Sequence, residues 1–167
     1  DVFCSTKLVA PIKEVAPIEE MAPDVRPLGI GECLMRALHS SAMTQFKSVV
    51  ADHLWPQQVA VGVPGGLSLL VLGIRIALEA HPDWVVVKID LRNAYNELMR
   101  AIAMARLSDQ EHLRALLPLF WATYRHLSKI FLPRQGLQVA DFKSAEGMRQ
   151  GDPIVSTGFC VGIHPEV

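Results

Sequence analysis

Asp90 ends the run "VVVKID", and Tyr95 follows it by five residues in "LRNAYN". A carboxylate is a hard oxygen donor, the kind of ligand that magnesium and calcium take. The run before it is short, rich in β-branched residues and preceded by the turn "HPDW", so it reads as a central strand over residues 85–89. Tyr95, Leu98, Met99 and Ile102 then restore the three- and four-residue spacing of a helix. Asp90 therefore falls at the carboxyl end of a strand, where α/β folds collect ligands and ions. The same place suits a helix cap, with the carboxylate accepting backbone N–H groups two or three residues further on.

Two other blocks hold groups of similar promise. "RPLGIGE" at 26–32 offers Arg26, a planar donor fork suited to phosphate oxygens, and taken alone Arg26 is equally an exposed arginine before a proline. "EGMRQGDP" at 146–153 offers the amide of Gln150 and, in Gly151, a backbone that a ligand can approach without meeting a Cβ. It also reads as ordinary turn chemistry into a helix that Pro153 starts, with Asp152 as its cap. Tyr95 likewise fits the buried stripe of its own helix.

Together and in this order, the three blocks resemble those of reverse transcriptases. "KIDLRNAYN" resembles motif A, "RPLGIGE" the fingers motif and "EGMRQGDP" motif B, and their forms look most like non-long-terminal-repeat retroelement or group II intron-like enzymes. The resemblance covers residues 26–165. It implies that Asp90 is catalytic and binds magnesium, with the Leu91 backbone carbonyl as a second oxygen ligand. It makes Arg26 the triphosphate clamp, helped by the amides of Arg92, Asn93, Ala94 and Tyr95 at a helix N-terminus. The Tyr95 ring would fill the space of a ribose 2′-hydroxyl, and Gln150 and Gly151 would line the nucleotide site.

The implied reaction is RNA-directed DNA synthesis, with two Mg2+ ions activating a primer 3′-hydroxyl and holding the leaving pyrophosphate. The implied partners are an RNA template, a DNA primer and a deoxynucleoside triphosphate. The implied fold is α+β, a right-hand polymerase fragment with fingers over about 26–84 and palm over about 85–167, whose small, mainly antiparallel palm sheet is packed by helices. Motif C, an aromatic-x-Asp-Asp hairpin, is not matched, because no Asp-Asp pair occurs in these residues. The chain therefore reads as a fragment truncated before that motif and inactive alone. Two other readings stand beside it: a decayed, non-enzymatic retroelement remnant, and a soluble α/β binding domain in which Asp90 and "QGDP" are caps and turns.

The elements that must position these blocks follow from pattern. Residues 1–25 repeat Ala-Pro three times and read as an extended lead-in. Leu34, Leu38, Ala42, Phe46 and Val49 form one helical stripe, and Leu67, Leu70, Val71, Ile74 and Leu78 another, with Ser68, Arg75 and Glu79 facing out. A longer helix is expected from about Asp109, with Leu113, Leu116, Leu117, Phe120 and Tyr124 on one face and a kink at Pro118. "KIFLP", "RQG" and "LQVADF" spell a β-hairpin, and residues 154–163 a mostly apolar helix.

Composition bounds the rest. With 50% hydrophobic and 20% charged residues, the 167-residue chain can bury a core and is not disordered by composition. Net charge is −1, so no global basic field draws it to nucleic acid, although residues 85–167 carry ten Lys/Arg against eight Asp/Glu, while residues 1–84 carry six against nine. Cys4, Cys33 and Cys160 are too few and too widely spaced for a disulfide framework, which points to a reducing intracellular compartment, cytoplasm or nucleus. The six histidines are scattered, with no i, i+4 pair, and suggest no metal site. The most apolar stretch, 59–74, is broken by Pro64 and four glycines and is too short to span a membrane.

Overall fold

Buried apolar side chains are concentrated in the middle and at the end of the chain, and they set the architecture. The computed structural model describes residues 6–9, 28–134 and 137–164, with side chains over 28–130 and 143–164. In chain order the elements are β1 (Thr6–Val9), β2 (Leu28–Gly31), α1 (Cys33–Gln45), α2 (Lys47–Leu54), α3 (Gly66–Ala80), α4 (Ala94–Glu97) and α5 (Arg100–Asp109). A 3-10 turn (Arg114–Leu116) then leads into α6 (Leu117–Tyr124), followed by β3 (Ser128–Arg134), β4 (Leu137–Ser144) and α7 (Val155–Ile163). The fold is α+β.

The core lies where α2, α5, α6 and α7 meet. Leu54, Leu107, Leu113, Phe120 and Ile154 are completely buried there, with Val50, Leu116, Met148 and Val161 around them. The face expected for the α6 region is the one that packs. Pro118 stands in the first turn of α6, where a missing N–H costs nothing, so it starts the helix instead of kinking a longer one.

The sheet has the order β2-β1-β3-β4. The β1–β2 and β3–β4 pairs are antiparallel and the β1–β3 pair is parallel. The hairpin expected from "KIFLP" and "LQVADF" is present as β3 and β4. Part of the lead-in is also ordered, because β1 precedes the first Ala-Pro and its donors remain available to a ladder. The remainder of residues 1–25 lies outside the described residues.

Three expectations are corrected. Residues 84–91 form neither helix nor strand, and Val85, Val87 and Ile89 are 84%, 77% and 78% exposed. A strand requires a neighbour for its backbone groups and a surface for its side chains, and no described strand lies beside this one. The α3 helix forms as its spacing predicts, yet Leu67, Leu70 and Val71 stay exposed, so periodicity set the helix but not its burial. Finally, the first stripe divides into α1 and α2 at Phe46, and the buried residue of α1 is His39, while Leu34 and Leu38 face outward.

Candidate functional site

Two backbone hydrogen bonds knit the three sequence blocks together. The Gly29 N–H donates to the Gln150 carbonyl at 2.8 Å, and the Met148 N–H donates to the Tyr95 carbonyl at 2.7 Å. Residues 121 and 53 positions apart thus meet as direct neighbours. Glycine permits both approaches. Gly151 has φ 109°, and a Cβ there would stand 3.0 Å from the Gly29 carbonyl oxygen. Gly147 has φ 65°, and a Cβ there would run into the Asn96 carbonyl.

A groove of about 570 Å³ opens beside these contacts, lined by Gly29, Asn93, Asn96, Lys143, Met148 and Arg149. All three blocks contribute to its wall. Asn93 is held in the left-handed region at φ 52°, a conformation that asparagine tolerates better than most residues. The Tyr95 ring is half-buried and meets Phe159 of α7 edge-on, with ring centres 5.0 Å apart.

The approach to "QGDP" is fixed by Arg100, which the sequence reading did not single out. Its guanidinium donates to the carbonyls of Gly147 (2.6 Å), Ser144 (3.1 Å), Glu146 (3.1 Å) and Tyr124 (3.3 Å), and to the Ser144 hydroxyl (2.5 Å). One planar fork thereby holds the whole 144–147 segment. Burial pushes the pKa of Arg100 down, with Arg149 acting in the same direction, while Tyr124 and Glu146 oppose them.

Asp152 anchors the other end of the block. Its carboxylate accepts from His39 Nδ1 at 2.6 Å, from the Tyr124 hydroxyl at 3.0 Å and from the Ile154 N–H at 3.3 Å, with Arg149 at 3.8 Å. His39 Nε2 donates to the Thr123 hydroxyl at 3.0 Å, because that hydroxyl spends its own proton on the Leu119 carbonyl. The His39–Asp152 contact is buried on both sides. Burial alone would raise the Asp152 pKa, but the hydrogen bond and charge of His39, aided by Arg149 and Tyr124, hold it below its ordinary value. Burial, and then the Asp152 charge, push the Tyr124 phenol up. Asp152 is not the helix cap expected of it, since Ile154 holds the N-cap position of α7; instead it joins α1, α6 and the start of α7.

Asn93 lines the groove, and Tyr95 and Gln150 stand beside it through their backbone contacts with the lining residues Met148 and Gly29, whereas Asp90, Leu91 and Arg92 lie exposed in the stretch leading up to it. Asp90 is not a helix cap, since α4 has Asn93 at its N-cap position and no side-chain cap. The helix that would lend its N-terminus to a phosphate is a single turn, Ala94–Glu97, so little dipole is available from it. Arg26 lies outside the described residues. For magnesium, the Asp90 carboxylate is a donor of the right kind, yet among the described residues no three His, Cys, Asp or Glu side chains are set around one ion. The described residues therefore do not form a two-ion site by themselves.

No protein-family model matches the chain, and no curated protein matches it. The assignment of function consequently rests on the residues and their arrangement. Among the described residues no helix is long and apolar enough to cross a membrane.

Proposed function

We propose that this chain carries the nucleotide-facing fingers and palm portion of an RNA-directed DNA polymerase of the retroelement type. The observation that supports this reading is that the described parts of the three blocks meet through the Gly29–Gln150 and Tyr95–Met148 backbone hydrogen bonds. Three blocks that resemble the family's motifs in sequence order also share one groove, and chance resemblance gives no reason for them to meet. In this reading Asn93, Tyr95, Gln150 and Gly151 receive the nucleotide, and Asp90 supplies one magnesium ligand once the 84–91 segment is paired. The chain's exposed carboxylate and the groove bind and orient; nucleotidyl transfer needs further carboxylates.

The test is calorimetric titration of the chain with dATP, with and without Mg2+. Binding that requires Mg2+, weakens at least tenfold in Asp90→Ala and loses its preference over ATP in Tyr95→Ala is the expected result. No binding to the folded chain, or binding indifferent to Mg2+ and to Asp90→Ala, overturns the reading and favours a binding domain of another kind.

A further inference from the structure

Among the described residues, Val85, Val87 and Ile89 are the most exposed of the large apolar side chains, and Leu91 is 60% exposed. The four alternate along the chain, so an extended backbone sets them on one face, with Val86, Lys88 and Asp90 on the other. Among the described residues none exchanges a backbone hydrogen bond with residues 85–91. A row of open backbone groups beside an apolar face is a template for a further strand.

The segment is complementary to itself. In an antiparallel pair related by a two-fold axis, residues directly opposite share a face, so apolar meets apolar only when the axis passes through a residue. Of the central positions, an axis at Lys88 sets two ammonium groups together and one at Asp90 sets two carboxylates together. One at Val87 leaves Lys88 opposite Val86 and Asp90 opposite Trp84. An axis at Ile89 instead sets Lys88 of each copy opposite Asp90 of the other, with Ile89 opposite itself and Val87 opposite Leu91. Two ion pairs and an apolar row then form at once, and together they fix the register.

A two-stranded ribbon alone is marginal, and α3 supplies further area. This helix runs into the segment through the turn at 81–83, where the His81 and Trp84 rings stack 4.2 Å apart, and its Leu67, Leu70 and Leu72 are about half exposed or more. At about 100 Å² for each apolar side chain left open, α3 and the segment offer roughly 1,000 Å², above the about 800 Å² per partner of a stable interface. A net charge of −1 puts little repulsion between copies. We propose that two copies of this chain associate through residues 84–91, paired antiparallel about Ile89, with the leucines of α3 extending the interface of a closed two-fold dimer. At the dilution of an unfolding measurement the chain is a monomer and this face stays open.

The test is sedimentation equilibrium of the reduced, full chain up to about 100 μM, with EDTA and without nucleotide, so that its outcome is independent of nucleotide binding. The expected result is a reversible monomer–dimer equilibrium that ends at twice 18.4 kDa. Lys88→Glu and Asp90→Lys should each weaken association at least tenfold, and the two together should restore it. In a chain carrying Cys4→Ser and Cys33→Ser, mild oxidation should link Ile89→Cys into a disulfide dimer and leave Val86→Cys a monomer. All four positions varied in the segment are exposed, so the circular dichroism of the variants should match the parent chain. A monomer at every concentration overturns the proposal and leaves this face to a different chain. Open-ended assembly, wild-type association in both single charge variants, no recovery in the double variant, or no linkage through Ile89→Cys overturns it as well.

Discussion

The α5–α7 half of the molecule and the stretch from α3 to Ile89 are both rich in leucine, isoleucine and valine, yet one is buried and the other faces outward. In the first, α5, α6 and α7 present their apolar faces to one another, so Leu107, Phe120 and Ile154 are fully covered. In the second, α3 and the 84–91 segment meet no such surface among the described residues. Apolar content supplies a drive to be buried, and only a geometric partner satisfies it. The buried half also contains the fixed polar anchors, Arg100 and the His39–Asp152 pair, while Asp90 lies on the uncovered side.

The contrast can be tested by mutation. Phe120→Ala, which empties a completely buried ring site, should cost about 3–5 kcal/mol in urea unfolding. Asp152→Asn, which disturbs the buried hydrogen bonds of His39 and Tyr124 to the carboxylate, should cost about 1–3 kcal/mol. A loss under 1 kcal/mol for either, on the order of a surface change, would mean that this half is looser than its packing implies. Arg100→Lys keeps the charge but cannot fill the fork's acceptors; it should cost about 1–3 kcal/mol and raise amide exchange across 144–147.

Acid should weaken the fold in two ranges, through Asp152 and through His53. The Asp152 carboxyl titrates below its unfolded value of 3.8, so its stabilisation is present above that pH and is lost as pH falls through the folded value. A pH-dependent melt should show this loss in the wild type and not in Asp152→Asn. The pKa of His53 is lowered from 6.5, so the folded state is favoured above pH 6.5 and weakened as pH falls below it, and His53→Gln should flatten that slope. The smallest effect belongs to the uncovered side. Leu70→Ser and Val87→Ser should each change stability by no more than about 0.5 kcal/mol, and a larger loss would reveal a cover over that face.

Much of the local structure was legible beforehand. The face Leu113, Leu116, Phe120, Tyr124, the β3–β4 hairpin and the helix after Pro153 all follow from spacing and turn residues acting over a few positions. Tyr95 and the Gln150–Gly151 pair could be singled out because neighbouring residues spelled recognisable blocks. Arg100 could not, since its role depends on carbonyls 24 to 47 residues away, nor could His39, whose partner is 113 residues distant. The strand expected at 85–89 failed for the complementary reason: β-branched residues favour an extended chain, but a strand exists only in a sheet.

The sequence alone determined which segments coil into helices, where the chain turns, and which side chains carry carboxylates, amides and guanidinium groups. Those choices are made by contacts between near neighbours along the chain. The tertiary structure decided which of those segments are buried, that Gly29, Asn93, Met148 and Arg149 line one groove, and that the rings of His112 and His164 both lie against His53. Such pairings depend on packing between distant parts of the chain, where shape and hydrogen-bond satisfaction select the partner, and no local pattern records that selection.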